Sequence, residues 1–437
     1  MIHILASKII SLICFFYEKV FLRKANLDVE NFIKNLSFVG LGTIIGTIFS
    51  VTYNILAGRL LGPSEYGTFT LIQSVAMFLY IPMLLGFSSA MVKYNSEKID
   101  FIRQRCILST TYALIILFTV ITLFLYAVFS KYIIAIFSIT YEIFVFAVIF
   151  SISYVFYTLM TSSVRSLHKF REYSLTNSIF PALQLILLSV FIYAINDLSF
   201  KSPLFSMIIT YVITGGILLV YLRKYIKIEF SMPMAKKLYR FSIYSLMGGI
   251  SSIFYLNIGK IVINMFLPVS QVGIYYAFNY AFTAFIFLIT MIFTTVFFPV
   301  ASMCNNKGML FNRINKIILL LIVFGLPLTW ISGYIILMMY GPDYPFDLPL
   351  MIFFSIAGIC ISVDQLYGQL LCSTGVNGAK LTSYAAVVMA IVNISLCFLL
   401  IPGIGIIGAV IATIISYLFS IGIMLFKCKK FIHFIDQ

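Results

Sequence analysis

Apolar runs of about twenty residues recur along the whole chain, and clusters of Lys and Arg separate most of them. A helix that crosses a bilayer needs about 20 predominantly apolar residues, whereas a spanning barrel shows alternating segments of roughly ten. The pattern predicts twelve spanning helices. They fall at residues 36–58, 67–92, 106–129, 141–164, 174–195 and 203–222, then 241–266, 273–300, 314–340, 348–373, 380–401 and 405–426. Only 10% of the 437 residues are charged, and the mean hydropathy is +1.08. A soluble domain carries about 25% charged residues. No soluble fold hides this much apolar surface, so the chain reads as an all-α integral membrane protein with no separate soluble domain.

The net charge of +15 does not point to nucleic acid. Lys and Arg collect on the cytoplasmic side of membrane proteins. With the N-terminus placed in the cytoplasm, 25 of the 29 basic residues fall on that side. Arg59, Lys131 and Lys201 fall on the other, and Lys260 lies inside a span. A wrong span count would mix the two sides, so the separation supports twelve spans with both termini cytoplasmic. Residues 1–35 carry Lys8, Glu18, Lys19, Arg23 and Lys24 between bulky apolar residues. They are expected to lie on the inner membrane face as an amphipathic segment. Residues 223–240 form the longest loop, hold six basic residues and divide residues 36–222 from 241–426. Residues 427–437 are a basic cytoplasmic tail. The seven cysteines include no CxxC pair, and His3, His168 and His433 are too dispersed for a zinc site. No P-loop is present to drive transport with ATP directly.

One stretch is written twice. Residues 55–70 read ILAGRLLGPSEYGTFT, and residues 261–276 read IVINMFLPVSQVGIYY. A shift of 206 positions aligns Ile55 with Ile261, Leu61 with Leu267, Ser64 with Ser270 and Gly67 with Gly273. The shift is close to half the chain, and helix, turn and helix surround both copies. Internal duplication of this kind marks transporter architecture.

Four turn motifs occur in order. The first is Ala57-Gly58-Arg59-Leu60-Leu61-Gly62-Pro63-Ser64-Glu65-Tyr66-Gly67. The second runs from Lys260 through Phe266-Leu267 to Val272-Gly273-Ile274-Tyr275. The third is Tyr340-Gly341-Pro342-Asp343-Tyr344, and the fourth is Ile401-Pro402-Gly403-Ile404-Gly405-Ile406-Ile407-Gly408-Ala409. Together they resemble the bacterial polysaccharide-unit flippases of the O-antigen and capsule type. That family belongs to the multidrug/oligosaccharide-lipid/polysaccharide exporter superfamily. The resemblance runs from about residue 35 to residue 426. It implies two six-helix bundles related by a pseudo-two-fold axis, of the multidrug-exporter kind, facing a central cavity. It also implies alternating access in the bacterial plasma membrane and an undecaprenyl-pyrophosphate-linked oligosaccharide as substrate. Membrane lipid, a polysaccharide polymerase and a chain-length regulator are the partners it brings with it. One departure matters: where family members often carry an acidic–basic pair, this chain has Gly259-Lys260.

Polar residues inside spans are the candidate site. Lys260 shares one helical face with Asn257 and Asn264. The 206 shift places Asn54 opposite Lys260. A buried lysine costs on the order of 3 kcal/mol at mid-bilayer, so it needs a partner or a wet cavity, where it would attract a pyrophosphate or acidic sugar. The alternative is a lysine that snorkels to the outer interface. Asp364 is the one acid well inside a span. It is expected to pair with Lys260 or to bind a coupling proton or sodium ion; no resident cofactor is expected. Arg59 ends the first span as an interfacial anchor or a substrate contact. Arg165, with His168, Lys169 and Arg171, ends the fourth on the inside; positive-inside orientation explains this cluster better than a cytoplasmic gate for a diphosphate.

A drug exporter of the same superfamily is the nearest competing function, and acidic cavities would favour it. A peptidoglycan-precursor flippase would usually have fourteen spans. A membrane glycosyltransferase or polymerase would carry a large loop with clustered catalytic residues, whereas the longest loop here is short and basic.

Overall fold

A computed structural model of the chain describes residues 27–97, 100–226, 229–303 and 307–435. Most of the expected amphipathic segment, residues 1–26, lies outside them. A continuous helical assignment runs over Leu27–Leu79, but Gly62 breaks it with φ 72° and ψ 170°. Only glycine enters that region at no steric cost. Beyond the break the chain folds back. The Tyr66 hydroxyl reaches Asn54 at 3.1 Å, and the rings of Tyr53 and Phe69 lie 6.4 Å apart. In a straight helix twelve residues would separate the first pair by roughly 18 Å. We therefore name residues 27–61 α1 and residues 63–79 α2.

The remaining helices are α3 Ile81–Leu84, α4 Phe87–Ser96, α5 Phe101–Val128, α6 Ser130–Phe137, α7 Tyr141–Ser166, α8 Phe170–Ser189 and α9 Lys201–Leu222 in the first half. The second half holds α10 Met232–Phe266, α11 Val269–Met303, α12 Lys307–Tyr340, α13 Leu348–Cys372, α14 Val376–Ile404 and α15 Ile406–Ile435. Among the described residues eleven helices are long and apolar enough to cross a membrane. The first of these, Gly42–Leu84, has 43 residues, about 65 Å of helix against a hydrocarbon core of about 30 Å. With the reversal at Gly62 it crosses twice, which brings the crossings to twelve.

Helix ends depart from expectation in three places. The second crossing is interrupted at Leu85 and Gly86, both left-handed, so α2, α3 and α4 share it. The basic loop is shorter than expected, because α10 begins at Met232 after Pro-free extended residues and places Pro233 in its first turn. The tail is no separate element, since α15 continues to Ile435.

Neighbour relations repeat between the halves. α1 packs on α8 as α10 packs on α14; α7 packs on α9 as α13 packs on α15. The halves meet most extensively through α11 and the α1–α2 hairpin. There the duplicated turns touch reciprocally. A Cβ on Gly67 would lie 2.2 Å from the Val269 carbonyl oxygen and 2.9 Å from the Gly273 nitrogen. A Cβ on Gly273 would lie 2.0 Å from the Pro63 carbonyl oxygen and 3.0 Å from the Gly67 nitrogen. Pro63 and Val269, like Gly67 and Gly273, are 206 positions apart. The pseudo-two-fold axis thus passes between the two glycines, where backbone meets backbone.

Apolar packing divides by depth. One core joins both halves at the end that carries the duplicated turns, from Tyr53, Tyr66 and Phe150 to Phe278, Phe354 and Val410. Towards the end rich in Lys and Arg it gives way to two separate cores. One is built by the first half with the start of α10 around Phe87, Ile107 and Leu238; the other by the second half around Ile314, Leu366 and Leu370. The halves share one core at the turn end; at the basic end their cores are separate, and the start of α10 packs on the first half, where a Cβ on Gly86 would lie 2.7 Å from the Ser242 carbonyl oxygen.

Candidate functional site

α10 presents Lys260 six residues before its last residue, Phe266, so the ammonium stem starts about 9 Å in from the turn end. The residue is 8% exposed. It does not snorkel: Nζ sits 5.0 Å from the centroid of the Tyr276 ring on α11. Among the described residues the ion pairs are Arg103–Glu97 and Lys201–Glu142, so no carboxylate neutralises Lys260. A ring face offsets only part of the cost of burying a cation.

A chain of tyrosine contacts runs from Asn54 through Tyr66 and Tyr276 to Lys260. Asn54 Nδ2 donates to the Ser50 carbonyl at 2.8 Å, and its Oδ1 accepts from the Tyr66 hydroxyl at 3.1 Å. With that proton committed, the Tyr340 hydroxyl at 3.3 Å must donate to Tyr66. The Tyr66 ring lies 5.7 Å from Tyr276 and 6.0 Å from Tyr340. Tyr280, 6.0 Å from Tyr276, shares a 3.4 Å hydroxyl contact with Ser50. Tyr344, 5.1 Å from Tyr340, donates to the Gly58 carbonyl at 3.0 Å. Tyrosines from α2, α11, α12 and the loop after α12 thus close the turn end above Lys260 and Asn54. Tyr66, Tyr340 and Tyr344 are at most 1% exposed.

The remaining expected residues fall elsewhere. Asn257 donates at 3.0 Å to Ile253 of its own helix. Asn264 donates at 3.0 Å to the Ser138 carbonyl in the first half, so it ties the halves together near the turn end. Arg59 is exposed, and its Nη1 reaches the Met339 carbonyl at 3.4 Å. It fastens α1 to the C-terminal end of α12, where a cation also meets the negative helix end. Arg165 is exposed in the last turn of α7 at the basic end, a membrane thickness from Lys260.

Asp364 does not pair with Lys260. It lies sixteen residues into α13, about 24 Å from the turn end and roughly 15 Å deeper than Lys260. Its Oδ1 accepts from the Ser420 hydroxyl of α15 at 2.6 Å. Cys360, Met389 and Tyr417 pack together in the second half beside it, with Tyr255 edge-on to Tyr417 at 5.9 Å.

The tyrosines are not among the residues that the sequence singles out as a site. They lie in the turn motifs themselves, Tyr66-Gly67 and Tyr340-Gly341 through Tyr344. In space the four motifs are one structure. Tyr344 bonds Gly58, Arg59 bonds Met339, Gly67 meets Gly273, and Gly405 approaches Leu267.

Two six-helix halves, related by a pseudo-two-fold and joined at one end over a buried cation, define the exporter-type membrane fold. Solved structures share it. An inward-facing multidrug resistance MATE family transporter of the MOP superfamily aligns with TM-score 0.70 at 13% identity, covering 90% of this chain and 95% of its own. The lipid II flippase MurJ in an inward closed conformation aligns with TM-score 0.66 at 17% identity, covering 90% and 87%. Residues 32–305 match the family described as polysaccharide biosynthesis protein, and the chain belongs to that family. A probable low-salt glycan biosynthesis flippase of Haloferax volcanii is 27% identical over 194 residues. That match spans 43% of this chain and 40% of the length of the relative.

Proposed function

We propose that this protein is a flippase. It moves an oligosaccharide linked to undecaprenyl pyrophosphate, an O-antigen or capsule repeat unit, across a bacterial plasma membrane by alternating access. The observation that carries the reading is Lys260: a buried cation without a carboxylate, at the end where the cores of the two halves join. A pyrophosphate is the complementary group. A drug exporter for organic cations would put an acid at this apex. Membership in a polysaccharide biosynthesis family supports the same substrate class. The positive-inside bias makes the basic end, with both termini, cytoplasmic. Lipid-linked units would then enter from the inner leaflet and be released outside to polymerase and chain-length proteins.

Deleting the gene in its host tests the reading. The expected result is loss of surface polymer, with single repeat units accumulating on lipid at the cytoplasmic face. Intact polymer with new sensitivity to cationic dyes would overturn it in favour of drug export.

Asp364 is assigned to coupling, and to a proton rather than sodium. Its Oδ1 accepts from the Ser420 hydroxyl beside a buried cluster of Cys360, Met389 and Tyr417, a setting suited to taking up and releasing a proton. Asp364→Asn is expected to insert normally yet lose the response of transport to an imposed pH gradient in vesicles. Replacing sodium with potassium should change neither protein. A sodium requirement in the parent would refute the assignment.

A further inference from the structure

The first half carries a second polar surface that the phosphate reading leaves unused. α9 turns Met207 and Tyr211, one helical turn apart, towards the interior of the half. Gln73 on α2 meets this face, and its Nε2 lies 2.8 Å from the Met207 sulfur. A thioether is a weak acceptor, so the amide is poorly satisfied by the protein. Three rings from three helices pack on one another around Tyr211, one turn along α9 from Met207. Tyr157 of α7 lies 4.8 Å from Phe180 of α8, Phe180 lies 5.0 Å from Tyr211, and Tyr157 lies 5.1 Å from Tyr211. Phe180 and Tyr211 are nearly parallel at 28°. Phe150 and Tyr154 close the sides edge-on at 5.5 and 5.7 Å.

Tyr211 is only 5% exposed, yet neither its hydroxyl nor that of Tyr157 has a hydrogen-bond partner among the described residues. Gln73, Tyr157 and Phe180 are each half-buried and not sealed, so the group keeps an accessible side. Phenylalanine would fill the same volume without that cost. No charged side chain belongs to the group.

We propose that Gln73, Tyr157, Phe180 and Tyr211 form a subsite for one uncharged pyranose ring of the transported glycan. The inference rests on the flippase reading. A pyranose offers an apolar C–H face to an aromatic ring and a rim of hydroxyls that both donate and accept. The tyrosine hydroxyls and the amide supply both roles. A carboxylated sugar would be buried here without a counter-charge. The substrate is then held at two points: its phosphate under the tyrosine gate at Lys260, and a neutral sugar in the first half.

The test uses the full chain in nanodiscs and two probes followed by ligand-observed NMR. The probes are methyl glycosides of glucose, galactose and N-acetylglucosamine, with glucuronic acid as their charged control, and inorganic pyrophosphate. At least one glycoside is expected to bind the parent protein. Gln73→Leu and Tyr157→Ala should each weaken it about fivefold or more while pyrophosphate binding stays within about twofold. Tyr211→Phe, which keeps the ring, serves as the conservative check and should weaken the glycoside alone. Lys260→Ala should do the reverse. Pyrophosphate binding without any glycoside binding would overturn the subsite and leave the flippase reading standing. Failure of both probes would overturn that reading itself. Equal binding of glucuronic acid would refute the preference for uncharged sugars.

Discussion

Replacing Lys260 with alanine is expected to lower export of the lipid-linked glycan by roughly 10- to 150-fold. A hydrogen bond to a charged group is worth about 1.5–3 kcal/mol, and that range converts to this factor. The loss should appear in transport and not in folding. Lys260 is buried against the Tyr276 ring without a carboxylate, so alanine removes an uncompensated charge from the membrane and not a structural ion pair. Protein abundance in the membrane should match or exceed that of the parent. Lys260→Arg, which keeps the charge and can grip a phosphate with two N–H groups, should retain most of the activity. Surface polysaccharide and immunoblot levels, measured together in a complemented deletion host, decide the matter. Normal polymer in the alanine variant would remove Lys260 from the mechanism. Polymer and protein lost together would make it a structural residue.

Gly67→Ala and Gly273→Ala are expected to open the gate at the turn end. In each, the added Cβ would stand 2.0–2.2 Å from a backbone carbonyl oxygen of the other half. No rotamer relieves a backbone contact, so α2 and α11 must separate by about an ångström. Overpacking of this kind costs about 1–3 kcal/mol, which shifts the closed state against the open one by roughly 5- to 150-fold. Because the contact is reciprocal about the pseudo-axis, both variants should behave alike, and the double variant should fall short of additive. The readout is a cysteine at Ser50, whose hydroxyl meets Tyr280 behind the gate. Labelling by a membrane-impermeant maleimide from the face opposite the basic end should rise in both variants. Unchanged labelling would show that the glycine contact does not hold the gate. Arg59 and Tyr344 fasten the same gate by single bonds to Met339 and Gly58, so their loss should have smaller effects of the same sign.

The residues on which these expectations rest were unequally visible in the sequence. Lys260 and Asn54 could be paired from the 206-residue repeat, because duplicated helices keep their register. Asn257 and Asn264 shared the face of Lys260 by helical spacing, but one turned to its own backbone and the other crossed to Ser138. Helical spacing says which residues share a face and nothing about the acceptor each amide will find. Asp364 and Lys260 were natural partners as the acid and base buried in spans. Helix arithmetic, applied once the ends of α10 and α13 were known, puts them at different depths.

The sequence by itself determined that the chain lives in a membrane and how often it crosses. Those properties follow from the transfer cost of apolar and charged residues, which is local and sums along the chain. It also carried the glycines at the turns, since a left-handed φ at Gly62 is a demand of the backbone alone. The tertiary structure decided that four separated turns meet at one end and that tyrosines as far apart as Tyr66 and Tyr340 hydrogen-bond to each other. It decided too that Lys260 meets a ring and not an acid. Inside a bilayer helices find no hydrophobic gradient to sort them. Their partners are chosen by close packing and by the few hydrogen bonds available between faces. Such choices involve residues hundreds of positions apart, and they exist only once the helices are assembled.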